Sequence, residues 1–469
     1  MLIPISRPAW NQYPSHDGAG PHSNKASTIE HGLESISNLS VKFLSKQLID
    51  SQFTGKWEME QDNAFAICDL GDVYRQYLKW VRHLPRVKPF YGKIKSKCDS
   101  GDSGGSKNFF FGIISTATKA FPDPKVIRLL ASLGVGFDCA SKMEIQKVLH
   151  VGVDPNQIIY ANPCKQASHI HYSAQKKVYK MTFDNSDELY KIKSFHPHAK
   201  LVIRILPNDH SNQKGQLGAK YGATLAAIPR LLCLAKKLSL DVIGVSFHIG
   251  VTSKGVQDFV AALSRARAVF DLAESAGYHF SLLDIGGGFY GGRVVQDGLK
   301  FEDAAAALGP AIDEYFPENI EVISEPGKFF VDSSVTCFTR IIGRRVIEYD
   351  DREPSYMYYL NDGVFGSFMA TLFSVKNITP SILVKSGKYH YGEDIEGPLF
   401  ECSIWGPTCA HDDCIEESAQ LPVLNEGDWL YWSNFGAYTN TLASEFNGFS
   451  KQKILYTNTF NLHPIIALS

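Results

Sequence analysis

The segment Ser281-Leu-Leu-Asp-Ile-Gly-Gly-Gly-Phe289 decides how this chain folds. Two leucines and an isoleucine flank Asp284, and this pattern predicts a short buried strand. The three glycines that follow leave the backbone N–H groups accessible to an anion, because they carry no side chains. Such a loop after a strand is typical of the carboxyl-terminal face of a β/α barrel, where phosphate sites are built. A tight turn that needs positive φ is the alternative, so the interpretation depends on the rest of the chain.

Short apolar runs recur along the first two thirds of the chain, and amphipathic segments separate them. The runs are centred on Ile67, Phe90, Phe137, Ile159, Met181, Leu201, Val245, Leu283 and Val322. Alternating strands and helices predict a parallel α/β architecture, and this number of strands favours a closed (β/α)8 TIM barrel. Periodicity alone leaves an open sheet as the alternative.

A change of texture after Val331 predicts a second domain. Aromatic and β-branched runs alternate there with Gly, Pro and Asp turns, which is typical of a mostly β domain, barrel-like or sandwich-like. The predicted boundaries are a disordered tail at 1–30, an N-terminal segment at 31–69 that packs with the β domain, the barrel at 70–335, and the C-terminal β domain at 336–469.

Length and composition restrict the classes of function. The 469 residues exceed the roughly 250–300 that one core supports, which agrees with two domains. A net charge of −2 does not indicate the basic surface that binds nucleic acid, and no apolar run is long enough to span a membrane. The nine cysteines show no metal-ligand spacing, so we predict no metal and a cytoplasmic protein with reduced thiols.

Five further motifs accompany the glycine triplet. They are Tyr160-Ala-Asn-Pro-Cys-Lys165, Val245-Ser-Phe-His-Ile-Gly250, Ser324-Glu-Pro-Gly-Lys328, Trp405-Gly-Pro-Thr-Cys409 and Gly436-Ala-Tyr438. In this order they closely resemble the motifs of eukaryotic-type ornithine decarboxylases, over about residues 63 to 449. The resemblance implies a fold type III enzyme that uses pyridoxal 5′-phosphate (PLP) and decarboxylates a small amino-acid substrate. It also implies a homodimer with active sites shared across the interface.

The resemblance assigns catalytic roles to four residues. Lys119 is the candidate for the covalent link to the cofactor, Glu325 for the partner of the pyridine nitrogen, and His248 for stacking on the ring. Cys409, carried by the β domain, is expected to protonate the product in the partner subunit's site. Cofactor binding is further assigned to Asp138, Arg204, Gly286, Gly287, Gly288, Lys328 and Tyr438.

The expected substrate pocket departs from the family pattern. It comprises Phe373, Ser374, Ala410 and Phe446, and family carboxylates that hold the distal ammonium of ornithine are replaced by Ser374 and Ala410. Leaving a buried ammonium without its acid costs about 3–5 kcal/mol, so we expect ornithine to be a poor substrate. The pocket suits a bulky, zwitterionic or acidic tail, as in the ornithine-decarboxylase-like enzymes of fungal loline alkaloid biosynthesis. The alternatives are a genuine ornithine decarboxylase of polyamine synthesis and a non-catalytic protein like the antizyme inhibitors.

The phosphate region and the cofactor lysine also depart from the pattern. Val251 replaces a hydroxyl donor and Lys328 replaces an arginine, which predicts weaker PLP binding. Lys119 follows the Pro89–Tyr91 strand only after an anomalous insert of 25 residues at 92–116. Without it the sequence reads KPFYATKAFPDP and regains the family register, so we hypothesise that the insert is a retained intron.

Overall fold

The computed structural model describes most of the chain from residue 39 onwards. The described ranges are 39–53, 63–91, 120–208, 220–250, 255–292, 299–372 and 379–460. Several sequence-based expectations fall outside them: the tail at 1–30, the insert at 92–116, Lys119, Val251, Phe373 and Ser374. The statements on structure that follow concern the described ranges.

The first nine strands and ten helices of the described chain alternate as the sequence predicts. The strands are β1 (Phe65–Asp69), β2 (Val87–Tyr91), β3 (Gly136–Cys139), β4 (Ile158–Tyr160), β5 (Lys180–Phe183), β6 (Lys200–Arg204), β7 (Asp241–Ser246), β8 (Leu282–Asp284) and β9 (Glu321–Ser324). The helices are α1 (Val41–Phe53), α2 (Leu70–His83), α3 (Pro124–Ser132), α4 (Lys142–His150), α5 (Ala167–Gln175), α6 (Ser186–Phe195), α7 (Ile228–Lys237), α8 (Val256–Ser275), α9 (Phe301–Tyr315) and α10 (Gly327–Val331).

Strands β2 to β9 form a closed parallel barrel, which confirms the predicted fold class. Closure occurs where β2 pairs with β9, with Val87 opposite Val322. Apolar side chains such as Phe90, Ile159, Val202, Leu282 and Ile323 cluster in the barrel. Space there is limited: a Cβ on Gly136 would lie 2.6 Å from the ring of Phe90. The barrel is therefore a packed core, and only its rim can hold a ligand.

A separate, mostly antiparallel sheet forms the second domain. Its strands are β10 (Val335–Ile347), β11 (Ser355–Leu360), β12 (Ser381–Lys385), β13 (Lys388–Tyr389), β14 (Phe400–Trp405), β15 (Cys414–Leu421), β16 (Trp429–Trp432) and β17 (Lys453–Thr457). The main path runs in the order β13-β12-β16-β10-β11-β14-β15. Among the described helices, none combines the length and the apolar character that crossing a membrane would require.

Strand β1, the apolar run around Ile67, belongs to this second sheet and not to the barrel. It pairs antiparallel with β10 and parallel with β17. The ring of Phe65 stacks on Phe338 with centroids 4.8 Å apart, and Ile49 of α1 joins the same cluster. Asp69 then begins α2 and binds the end of β17, because its carboxylate accepts hydrogen bonds from Gly71 N (2.9 Å) and Thr459 Oγ1 (2.6 Å). The N-terminal elements thus tie the two domains together.

Candidate active site

The glycine loop begins at the carboxyl end of β8 and is held against the end of β9. Glu325 N and Ser324 Oγ both donate to Gly286 O, each at 2.7 Å. On the other side, Gly286 N donates to Asp284 Oδ1 at 2.9 Å. These three hydrogen bonds fix the start of the loop between two neighbouring strand ends, which is the face of a barrel where active sites lie.

The loop accepts only glycine, and its shape fits a phosphate group. Gly286 and Gly288 have φ of +64° and +121°, values that other residues rarely adopt. A Cβ on Gly286 would lie 2.2 Å from Phe247 O, and one on Gly288 would lie 2.9 Å from Gly250 O. The absence of a side chain lets Gly286 pack against Phe247 O, and Gly288 is half-buried at the rim, where its backbone can be approached closely by a phosphate.

Three carboxyl groups converge beside this loop: Asp138 on β3, Asp284 on β8 and Glu325 after β9. Burial raises the pKa of Asp284 well above its ordinary value, and the charges of Glu325 and Asp138 raise this pKa further. Asp284 therefore holds its proton more readily than an isolated carboxyl group does.

His248 follows β7 and lies next to the glycine loop. A Cβ on Gly286 would be 3.0 Å from both Cα and Cβ of His248. The imidazole is buried, and its Nδ1 accepts a hydrogen bond of 2.9 Å from Gly250 N. Because Nδ1 is the acceptor, the neutral ring carries its proton on Nε2. This contact fixes both the orientation of the ring and its tautomer.

Two further expected cofactor residues, Lys328 and Tyr438, lie on α10 and on the β domain. The ammonium of Lys328 forms an ion pair of 2.5 Å with Asp332. Tyr438 has a positive φ of 60°, and its N–H donates to Ala120 O at 3.0 Å. Ala120 directly follows Lys119, so the structure places Tyr438 beside the chain segment that carries the expected cofactor lysine.

Asp138 and Arg204 are buried on barrel strands, at positions that the sequence pattern assigned to the site. Asp138 reaches the carboxyl pair electrostatically, as its effect on the pKa of Asp284 shows. Arg204 ends β6, and its guanidinium lies 5.7 Å from the ring of Tyr221. Asp138 thus belongs to the same group of carboxyl side chains as Asp284 and Glu325, and Arg204 lies on the neighbouring part of the rim.

A second group of expected site residues lies on the β domain. Cys409 is exposed, and its N–H donates to Asn447 Oδ1 at 3.2 Å. Phe446, the residue before Asn447, is 45% exposed and packs on Phe365 with ring centroids 4.7 Å apart. Ala410 N donates to Thr408 Oγ1 at 3.4 Å. Cys409, Ala410 and Phe446 therefore form one surface, whereas Glu325 and His248 are buried at the barrel rim.

Two carboxylates of the site, Asp284 and Asp332, were not assigned from the sequence. Asp284 directly precedes the glycine triplet, and this adjacency is a usable signal. Asp332 lies four residues after Lys328, a spacing that brings two side chains together on a helix. That signal becomes visible only once a helix is known to begin at Gly327.

Comparisons with known proteins agree with this geometry. Residues 107–332 match the family model of the pyridoxal-dependent decarboxylase, pyridoxal binding domain. The chain is 43% identical over 403 residues to an ornithine decarboxylase of Schizosaccharomyces pombe, covering 86% of this chain and 85% of that protein. The chain belongs to the eukaryotic-type ornithine decarboxylase family. It is also 42% identical over 423 residues to antizyme inhibitor 2 of Xenopus laevis, with 88% and 85% of the two chains covered.

The fold comparison gives the same assignment. The crystal structure of the arginine decarboxylase of Paramecium bursaria Chlorella virus matches with a TM-score of 0.74 and 30% identity, over 88% of this chain and 100% of that one. Members of this family are fold type III proteins, and PLP is the cofactor of its decarboxylases. The glycine loop, the buried carboxylate pair and the aligned imidazole described above fit that cofactor.

Proposed function

We propose that this protein is a PLP-dependent decarboxylase of an L-amino acid whose side chain does not end in a free ammonium group. The observation that carries the proposal is the combination of Asp284, Glu325, His248 and the glycine loop at the barrel rim with Ala410 next to Cys409. A family member that had lost catalysis would have no need for the Asp284–Glu325 pair and the oriented His248 together.

The described residues supply distinct functions to a bound cofactor. PLP provides an electron sink that weakens the bond between the α-carbon and the carboxylate of an amino acid. Glu325 would pair with the ring nitrogen and favour its protonated form. His248 would pack on the ring, and the loop from Gly286 to Gly288 would bind the phosphate together with Tyr438. Lys119 would hold the cofactor covalently.

Cys409 supplies the proton that replaces carbon dioxide on the α-carbon. Its side chain is exposed in the single chain, where it faces solvent and not the buried rim. A second copy of the chain can bring this thiol to the rim, so the proposal includes a homodimer with shared active sites. Phe446, which lies beside Asn447 and is itself exposed, belongs to the same contributed surface.

The neutral pocket determines the substrate class. Ala410 offers no charge to a distal ammonium, and Ser374 offers only a hydroxyl group. An amino acid with a zwitterionic, acidic or bulky tail avoids the cost of a desolvated, unpaired cation. An amino acid that carries an N-linked proline has such a tail, and we propose an alkaloid pathway of the loline type as the setting of the reaction.

Two other functions are favoured by specific observations. The antizyme inhibitor among the similar proteins raises a non-catalytic binding role, which predicts no amine product from any amino acid. The similar ornithine decarboxylases raise ordinary ornithine turnover, for which Asp412, two residues after Ala410, offers a carboxylate.

Release of carbon dioxide from a panel of amino acids distinguishes these functions. We expect ornithine to be used about 100-fold less efficiently, in kcat/KM, than an amino acid with a zwitterionic or neutral tail. Cys409→Ala removes the exposed thiol that we propose as the proton donor to the product. This variant is the control for that protonation step. Ornithine as the best substrate would refute the neutral-pocket assignment, and no turnover of any amino acid would favour the binding role.

A further inference from the structure

Lys328 lies near the segment that follows the glycine loop, with its Nζ 5.9 Å from the centre of the Tyr290 ring, and it is already paired with an acid of the same chain. Lys328 is the second residue of α10, and its Nζ lies 2.5 Å from Asp332 Oδ1, one helical turn further on. A Cβ on Gly291 would lie 1.8 Å from Phe329 O, so α10 packs directly against the segment that follows the glycine loop. The family resemblance assigns Lys328 to cofactor binding, and this packing brings the ion pair close to the loop in the chain.

Asp332 is enclosed, and it depends on Lys328 for charge compensation. Its side chain is 4% exposed, whereas that of Lys328 is 22% exposed. A Cβ on Gly292 would meet both Asn434 Oδ1, at 2.7 Å, and Asp332 Oδ2, at 3.3 Å. The backbone is fixed as well, because Gly436 N donates to Asp332 O at 3.1 Å. Since the carboxylate has little access to water, release of Lys328 would leave a buried charge without its partner.

From this geometry we infer that Asp332 competes with the cofactor phosphate for Lys328 and thereby sets a low affinity for PLP. A free lysine beside the loop offers a full positive charge to a phosphate dianion. The Lys328–Asp332 pair offers a net charge of zero, and Asp332 in addition repels the dianion. The inference rests on phosphate binding at this loop and not on the identity of the amino-acid substrate.

The opposite role for Asp332 makes a different prediction. The ammonium of lysine has three N–H donors, so it can contact a carboxylate and a phosphate at the same time. If Asp332 served only to aim Lys328 at the phosphate, removal of its charge would weaken phosphate binding. Competition predicts that the same change strengthens it. The sign of the effect therefore separates the two roles.

The test compares two non-covalent ligands, pyridoxine 5′-phosphate and pyridoxine, by calorimetric titration. Neither ligand can form the covalent link to Lys119, and the ratio of their affinities isolates the contribution of the phosphate. Asp332→Asn keeps the size of the side chain and removes its charge. We expect this variant to raise the affinity ratio about tenfold, the effect of relieving one close charge contact. An unchanged or lower ratio would overturn the inference, and so would equal strengthening of both ligands.

Two further variants complete the design. Lys328→Met combined with Asp332→Asn removes both charges and leaves no buried ion, and we expect its affinity ratio to stay within about threefold of the wild type. If the affinity ratio of this double variant is about tenfold or more below that of the wild type, Lys328 gives the phosphate its full charge in the wild type, and this result would contradict the inference. Asp271→Asn is the matched control, because the exposed Arg267–Asp271 pair has the same four-residue spacing and should leave the ratio unchanged. These binding measurements are independent of whether any amino acid is decarboxylated.

Discussion

Glu188 forms the centre of a buried ion cluster at the rim of the barrel. Its Oε1 lies 2.8 Å from the ammonium of Lys165, on the loop that follows β4, and its Oε2 lies 2.7 Å from Lys191. The side chains of Glu188 and Lys165 are 1% and 0% exposed. Glu188→Gln keeps the shape of the side chain but removes the charge that compensates Lys165.

The size of the effect follows from what Lys165 retains. Its ammonium still donates to Thr182 O at 2.6 Å and to Asn162 O at 3.2 Å, but it loses its only fully buried counter-charge in the described cluster. Burial already lowers the pKa of Lys165. Removal of one partner from a buried ion pair costs about 3–5 kcal/mol, and we expect Glu188→Gln to reduce the free energy of unfolding by about that amount.

Urea denaturation followed by circular dichroism measures this loss. Asp50→Asn is the matched control: it breaks the Lys46–Asp50 pair, whose side chains are about half exposed, and should change stability by less than about 1 kcal/mol. Lys165→Met combined with Glu188→Gln should recover most of the loss, because no unpaired ammonium then remains buried. A Glu188→Gln variant that is no less stable than the Asp50→Asn control would refute the reasoning.

Three further predictions concern the site. The pKa of Asp284 is raised above 3.8, so the stability that its protonated form contributes is complete below about pH 4 and is lost as the pH rises through the folded-state pKa. Asp284→Asn has no such loss, so in urea titrations its free energy of unfolding relative to that of the wild type should increase between pH 4 and pH 8. A difference between the two proteins that stays constant over this range would contradict a protonated Asp284. Gly286→Ala should reduce the free energy of unfolding by about 3 kcal/mol or more and abolish phosphate binding, because its Cβ would lie 2.2 Å from Phe247 O. A variant that binds pyridoxine 5′-phosphate normally would argue against the loop as the phosphate site. Ala410→Asp should raise kcat/KM for ornithine about tenfold or more, because it returns one carboxylate to the pocket. The uncharged control Ala410→Asn should not raise it, and equal effects of the two substitutions would exclude the electrostatic explanation.

The barrel and the β domain could be predicted because their patterns are local. Each strand of the barrel appears as an apolar run, and Gly, Pro and Asp turns separate the strands of the second domain. Periodicity alone groups the run around Ile67 with the barrel strands, although the segment at 31–69 is expected to pack with the β domain. Strand β1 is buried along its whole length, like a barrel strand, and only its pairing with β10 and β17 shows that it belongs to the other sheet. Membership in a sheet depends on long-range contacts, which periodicity does not encode.

The residues of the site divide in the same way, into those that could be predicted from the sequence and those that required the structure. Gly286, His248 and Glu325 are expected together because the family resemblance assigns them to one site, and each follows a predicted strand whose end lies at the same face of a barrel. The pairing of Lys328 with Asp332 needed the position of α10, and the proton on Asp284 needed the degree of burial. Neither can be obtained from the order of residues alone.

The insert at 92–116 can be tested at the level of the transcript. If the segment is a retained intron, the mature message should join the codon of Tyr91 to that of Ala117, and the shorter protein should carry the family register up to the cofactor lysine. Sequencing of the mature transcript across this region decides the question, and an insert present in every message would refute the hypothesis.

The central claim is that this chain has a working PLP site, and borohydride reduction tests it most directly. The purified protein is incubated with PLP, reduced and analysed by peptide mass mapping, with Lys119→Ala treated in parallel. We predict a pyridoxyl modification on Lys119 that is absent from the variant. No modification of Lys119 with PLP in excess, or the same modification pattern in both proteins, would contradict the claim.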